Sequence, residues 1–233
     1  MAFDPPTLAE ARTAVSRALR DTAGSVFAPE VIDDFIKTAL QDLSDYRPKE
    51  TLVVAIWPLD DPTVFSDMTG VWMVQYRVAY NSNVADVRTT TIPPVGRNSA
   101  DARGGWDFYG KLLTITPTWQ RTMDSIADAP WPIELVVWGY ADRTMPLLDD
   151  DIVDVTDATD YNCLLTHCKH LGFELLNHDR SLYQQWLAAT NNTDVSPTQL
   201  SGMTSVAEQS YEKTRRRSTL IRRVPSGSVA YTY

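Results

Sequence analysis

Cys163, His167, Cys168 and His170 fall within eight residues of one another, and thiols and imidazoles are the side chains of zinc sites and nucleophilic catalysis. Zinc asks for about four ligands in a tetrahedral shell, normally drawn from two elements. Here the cysteines and histidines lie on one helical stretch, with His178 the only other histidine. Cys163 and His167 can share a helix face, but carboxylates or a second subunit would have to complete a shell. The plainer reading is a buried cysteine pair with surface histidines, so neither metal nor cofactor is expected. Five residues apart on a helix, the two thiols stand about 8 Å from each other, too far for a disulfide. Reduced thiols suit a protein made in a cytoplasm.

Catalysis needs a nucleophile and base held together by a third group. The chain has no G-x-S-x-G elbow, phosphate-binding loop, G-x-G-x-x-G or H-E-x-x-H. It is read as non-enzymatic, the competing reading being a hydrolase that uses His167 or His170 as its base. Asp149, Asp150, Asp151, Asp154, Asp157 and Asp160 form an acidic run without the D-x-[DN]-x-[DN]-G spacing of a calcium loop. A solvated loop and a helix N-terminus account for most of them. Six of the seven tryptophans (Trp57, Trp72, Trp106, Trp119, Trp131, Trp138) belong to one middle region. They suit core and interface packing, with stacking on a glycan as the alternative.

The sharpest feature is KTRRRSTLIRR, with Lys213, Arg215, Arg216, Arg217, Arg222 and Arg223. Taking those six from the chain's 21 basic residues leaves 15 in the first 212 positions, against all 30 acidic ones. The chain is thus an acidic body with a basic tail, suited to head-to-tail contact between copies or to an acidic partner. Arginine outnumbers lysine in the tail, which favours desolvated, bidentate pairing at a docking surface. Phosphate binding is the rival reading.

The elements that must position these groups follow from periodicity. TLAEARTAVSRALR (7–20) reads as a helix, with a capping box from Thr7 to Glu10 and a Leu8, Ala11, Val15, Leu19 stripe. PEVIDDFIKTALQDLSDY (29–46) reads as a second, with Pro29 in its first turn and Val31, Ile32, Phe35, Ile36, Leu40 and Leu43 on one face. From 51 to 140 the period becomes two. LVVAIW (52–57) reads as a strand buried on both faces. In VWMVQYRVAY (71–80), Trp72, Val74, Tyr76, Val78 and Tyr80 point one way. VRTTTI (87–92), KLLTIT (111–116) and IELVVWGY (133–140) complete five strands, and 93–106 reads as a long polar loop. Asp160–Leu176 reads as a central helix capped by Asp157 or Thr159, broken at 177–179. Residues 191–202 read as a linker, Met203 to Val224 as a last helix with Val206, Tyr211, Leu220 and Ile221 as its apolar residues, and 225–233 as an arm able to add to a neighbour's sheet.

The expected fold is therefore α+β: a helical bundle with an inserted antiparallel β-sandwich or open barrel and an extended C-terminal arm. Its parts are 1–48 (N-terminal helices of the core), 49–148 (inserted β domain), 149–190 (central helix) and 191–233 (linker, basic helix and arm). No apolar run is long enough to span a membrane.

In this order the chain resembles the head–tail adaptor (connector) proteins of tailed bacteriophages. The resemblance lies in ALQDLSDYRP (39–48) before a β insertion and in the closing pattern. That pattern is an acidic approach, DYNCLLTHCKHLGFELL (160–176), a linker, then SVAEQSYEKTRRR (205–217) with a basic arm. These segments cover about 80 of the 233 residues. The resemblance implies a virion protein of the neck, a dodecameric ring of copies beneath the portal, and a central channel for genomic DNA. It implies contact with a tail or neck completion protein, and the acidic balance of residues 1–212 suits a channel wall along which DNA slides. It makes Lys213, Arg215, Arg216, Arg217, Arg222, Arg223, Tyr231 and Tyr233 the portal-docking residues. The insertion of about 90 residues departs from the smallest family members and leaves the β domain's contact, such as a tail fibre, open. The rival is a non-enzymatic binding module, for DNA through 213–223 or for a glycan through the tryptophan-rich sheet.

Overall fold

A computed structural model describes residues 3–59, 62–79, 87–95, 104–127, 133–190 and 195–218. Among them the chain is mixed α+β, with six α-helices and antiparallel sheets that do not close into a barrel. It forms two compact units, one from the described residues of 1–48 and 143–220, the other from those of 49–142.

In the first unit, α1 (Leu8–Ala18) starts at Thr7, whose hydroxyl accepts from the Glu10 amide while the Glu10 carboxylate accepts from the Thr7 amide. Leu8, Ala11, Val15 and Leu19 are all buried, as their spacing requires. In α2 (Pro29–Tyr46) the inner face is Ile32, Phe35, Ile36, Leu40 and Leu43, with Val31 only half-buried. The chain returns at Arg143 and enters α4 (Ala158–His178), then α5 (Arg180–Thr190) and α6 (Pro197–Ser218). Asp157 is the N-cap of α4, its carboxylate accepting from the amides of Thr159 (2.7 Å) and Asp160 (2.9 Å). The helix breaks at Asp179, which in turn accepts from the first amides of α5.

The α6 helix begins inside the stretch expected as linker. Ser196 and Gln199 form a reciprocal cap, and Pro197 occupies the first turn. Residues 197–202 are thus helical. The inner face of α6 is Leu200, Met203, Ala207 and Tyr211, whereas Val206 stands in solvent. Leu220, Ile221 and the arm 225–233 lie outside the described residues.

Gly172 marks the closest approach of α1 and α4. A Cβ there would fall 2.4 Å from Leu19 Cδ2, and Leu19 is itself fully buried. Phe173 next to it meets Trp186 of α5 edge to face, and Trp186 Nε1 donates to the Leu19 carbonyl (2.9 Å). Three helices therefore close on one spot.

Asp160 departs from its acidic neighbours. It was expected in a solvated helix approach; its side chain is wholly buried. Arg143 Nη2 donates to Oδ2 at 2.7 Å, Arg47 Nε stands 2.6 Å from Oδ1, and the Thr156 amide donates to Oδ2 at 3.0 Å. Arg143 also donates to the carbonyls of Asp154 (2.8 Å) and Arg47 (3.2 Å), and its amide donates to Ser44 Oγ (2.8 Å). Arg47 pairs with Asp157 as well.

In the second unit a four-stranded antiparallel sheet runs β1 (Lys49–Trp57), β6 (Ile133–Ala141), β2 (Met68–Ala79), β3 (Val87–Ile92). One face carries Val74, Tyr76, Val78, Ile92, Ile133, Leu135 and Val137. It packs with a hairpin of β4 (Trp106–Tyr109) and β5 (Leu112–Ile115), and with Met123 of α3 (Pro117–Ala127). Both β4 and α3 were missed from sequence. Trp106 is a strand residue whose amide donates to the Pro93 carbonyl (3.0 Å), not the end of a loop; residues 96–103 of that loop lie outside the described residues. Thr116 and Pro117 start α3, whose Trp119, Met123 and Ile126 face the core.

Two strand readings are corrected. LVVAIW is an edge strand among the described residues and is covered on one face only: Val53, Ala55 and Trp57 face the core while Leu52, Val54 and Ile56 are exposed. Trp72 does not share a face with Val74. The register jumps from Val71↔Gly139 to Met73↔Trp138, and this bulge turns Trp72 toward Trp138, ring centroids 5.9 Å apart. Tyr80 lies outside the described residues.

Removing one member of a buried, doubly paired charge leaves the others without solvent or partner. Asp160→Ala is expected to lower the unfolding free energy by about 3–5 kcal/mol in urea titration. A loss under about 1 kcal/mol would show that Arg47 and Arg143 do not depend on it. Gly172→Ala is expected to cost about 1–3 kcal/mol by overpacking against Leu19, despite alanine's better helix propensity.

Candidate functional site

The basic segment that sequence singles out begins in the last turns of α6, so the site is where α6 lies on α2 and α4. Tyr211 is the centre. It is buried, its ring stacks on His167 with centroids 4.2 Å apart, and its hydroxyl donates to the Asp42 carboxylate. His170 lies one helical turn on, its ring nearly parallel to Tyr211 at 6.3 Å. Spacing explains the group: His167 and His170 are i, i+3 on α4, and Tyr211 and Arg215 are i, i+4 on α6.

Both histidines were expected at the surface. The His167 side chain is 12 % exposed, and its Nδ1 stands 3.7 Å from Asp42, beyond hydrogen-bond range. Burial pulls the His167 imidazole below its ordinary value of 6.5, and the Asp42 charge only partly opposes this; His170 and Arg215 add to the lowering, Glu174 to the opposition. Burial likewise pushes the Tyr211 phenol up, with Asp42 beside it acting the same way. Tyr46 is raised by burial and by Cys163, and Cys168 by burial. Cys163 and Cys168 are both buried free thiols. Among the described residues no three His, Cys, Asp or Glu gather as metal ligands.

The basic residues divide by face. Arg215 turns inward, its guanidinium 5.1 Å from the Tyr46 ring centroid and 3.9 Å from Asp42. Lys213 and Arg216 turn outward; the Arg216 side chain is 83 % exposed and 3.9 Å from Glu212. Arg217 is in the helix but its side chain lies outside what is described, as do Arg222, Arg223, Tyr231 and Tyr233 entirely. So the six-residue patch read from sequence is, where it is described, one inward anchor and two outward cations. Asp42, Tyr46 and Tyr211 were missed as site residues. Asp42 and Tyr46 close α2 at i, i+4, a pattern indistinguishable in sequence from any half-solvated helix face.

Chemically the arrangement is a latch. A phenol on a carboxylate, a stacked imidazole and a guanidinium over a ring hold α6 down, and each group is committed to another within the unit. The tryptophans of the glycan alternative divide by burial: Trp72 and Trp106 are buried, and Trp57, Trp119 and Trp138 are half-buried. Trp131 lies outside the described residues. No helix among the described residues is long and apolar enough to cross a membrane. No protein-family model matches the chain, and no curated protein matches it significantly.

The lowered His167 value gives the latch an expected pH dependence with a definite sign. A freed His167 takes a proton near 6.5, whereas the seated one takes it only at lower pH. Acidification through that window therefore stabilises the released or unfolded form, and latch stability is lost as pH falls. Protection of the α6 amides, taken relative to their intrinsic exchange rate at each pH, is expected to fall as pH drops below about 6.5, and His167→Gln to flatten that dependence. Tyr211→Phe is expected to cost about 1–2 kcal/mol by leaving Asp42 without its donor.

Proposed function

We propose that the chain is a structural head–tail adaptor subunit of a tailed bacteriophage. It assembles as a ring, dodecameric by resemblance, between the portal and the tail. The helical unit is the bundle that makes lateral contacts, the β unit is an inserted sandwich-like appendage, and the arm after α6 reaches the portal. The observation that carries this reading is the discontinuous helical unit. Helices α1 and α2 from one end of the chain pack with α4 and α6 from the other, around an insertion. Lys213 and Arg216 on the outer face of α6 suit an acidic docking partner, and Arg215 fixes the helix that presents them.

The roles of the two faces separate by mutation. Lys213→Ala with Arg216→Ala is expected to leave the melting temperature unchanged and weaken portal binding about tenfold, with a shallower salt dependence. Arg215→Ala is expected to lower the melting temperature instead. Sedimentation of the full chain with a purified portal reads both. A chain that neither forms rings nor binds the portal would defeat the adaptor reading. Loss of salt-sensitive DNA binding with assembly intact would favour a DNA-binding module.

A further inference from the structure

The helical unit carries two unsatisfied apolar features at opposite ends of α1. The first is the turn before α4. Leu147 is 89 % exposed and Leu148 67 %, yet the turn that bears them is ordered. The Asp151 carboxylate accepts from the amides of Leu147 (3.2 Å) and Leu148 (2.9 Å). The carbonyls of Asp149 and Asp151 accept from Ala9 (3.1 Å) and Leu8 (2.9 Å), and Arg12 Nη1 holds Asp149 at 2.5 Å. Asp149 is thus taken by Arg12 and Asp151 by the turn's own amides, and Asp150 beside the leucines stands exposed. Two leucines held out in water on a fixed turn bear little ordering cost on association.

The second is a groove of about 660 Å³ formed where α6 crosses α4 and the end of α1. Phe173 and Met203 line it, Val206 stands on its wall 65 % exposed, and Arg20 and Lys169 are its cations. Lys169 Nζ lies 5.9 Å from the Phe173 ring centroid, at the groove's inner end. The groove is apolar with two basic residues; the turn is apolar with a free acid. Each has what the other lacks, in both hydrophobicity and charge.

We propose that the Leu147–Leu148 turn of one copy seats in the Phe173–Met203–Val206 groove of the next, with Asp150 facing Lys169 or Arg20. Within one copy the two features cannot meet. The turn is bonded to the first residues of α1 and the groove includes Ala18 and Arg20 at its far end, roughly 16 Å of helix away. The contact is therefore heterologous, head to tail, and propagates until rotation closes it. This specifies the lateral contact of the proposed ring and rests on that reading only for closure. One turn in one groove is a small interface, so each contact is weak alone and gains from multiplicity.

The test is thiol cross-linking of the full chain carrying Leu148→Cys and Val206→Cys together, using a short bifunctional maleimide. Both native cysteines are buried, so the wild-type chain is the blank. A ladder of covalent dimers, trimers and higher species is expected. Leu147→Asp in the same background is expected to cut ladder yield at least about tenfold. Asp150→Lys or Lys169→Glu alone is expected to slow cross-linking, and the two together to restore it. Absence of a ladder, a ladder stopping at dimer, or indifference to Leu147→Asp overturns the contact. A ladder-forming chain that ignores a portal retires the adaptor reading and keeps this contact; a portal-binding ring without the ladder does the reverse.

Discussion

One buried carboxylate sets the conditions for the helical unit. Asp160 is held by Arg143 and Arg47, and each arginine stands at one end of the long insertion: Arg47 two residues before β1, Arg143 two residues after β6. Burying three charges costs solvation that their mutual attraction barely repays, so the group is poorly explained as a source of stability. It is better explained by selectivity. A departing chain end and a returning one must both reach the N-terminus of α4, where the helix dipole already favours a carboxylate. Only one arrangement gives Asp160 its two guanidiniums, the Thr156 amide and the Thr156 hydroxyl together. Inside the sheet the same ends meet again, since β1 and β6 pair with Lys49 opposite Ala141. An insertion of this size is compatible with a compact helical unit because its two ends leave and return side by side.

From that fixed point the rest of the unit follows by packing. With the start of α4 anchored, Gly172 lets α1 approach close enough for Leu19 to fill the gap, and Trp186 takes the Leu19 carbonyl that the end of α1 leaves over. The α6 helix then lies on a surface already built and needs only a few polar contacts to register it. Asn177 with Thr204, and Asp42 with Tyr211, lie at different points along that contact. Beside the second of these stands His167, whose imidazole burial pulls below its ordinary value, so the end of α6 is expected to respond to pH. Acid is expected to loosen it, by the direction of the His167 shift.

What the sequence reveals and what it hides divides by the range of the forces involved. Thr7 with Glu10, the Leu8–Leu19 stripe and Asp157 as cap are local, and all three are visible in the residue order and present in the fold. The start of α6 was equally local, but Ser196 and Gln199 sit among turn-forming residues that drew attention away from the cap. Helix α3 hid for a similar reason, its Thr–Pro start looking like a loop. β1 was misread because LVVAIW has no polar residue to mark its outer face, so alternation existed in exposure without existing in composition. Asp160 could not be found at all: five other aspartates precede it within a dozen positions, and only arginines distant in sequence distinguish it. The same holds for the latch, since Asp42, His167 and Tyr211 come from three helices and share no spacing.

Charge also reads differently once faces are known. Sequence counts a basic tail against an acidic body, as if the two were available to meet. In the fold Arg215 is already spent on Asp42 and Tyr46, and Asp149 and Asp151 are spent on Arg12 and on the turn's own amides. Some outward charges border apolar groups: Lys169 and Arg20 around the groove and Asp150 beside two exposed leucines, with Lys213 and Arg216 outward on α6. Charges beside apolar groups favour register more than affinity, because an isolated exposed ion pair is worth about 1 kcal/mol or less whereas two leucines, once buried, are worth several times that. In a surface of this kind charge sets the orientation of whatever it meets, while hydrocarbon supplies most of the affinity.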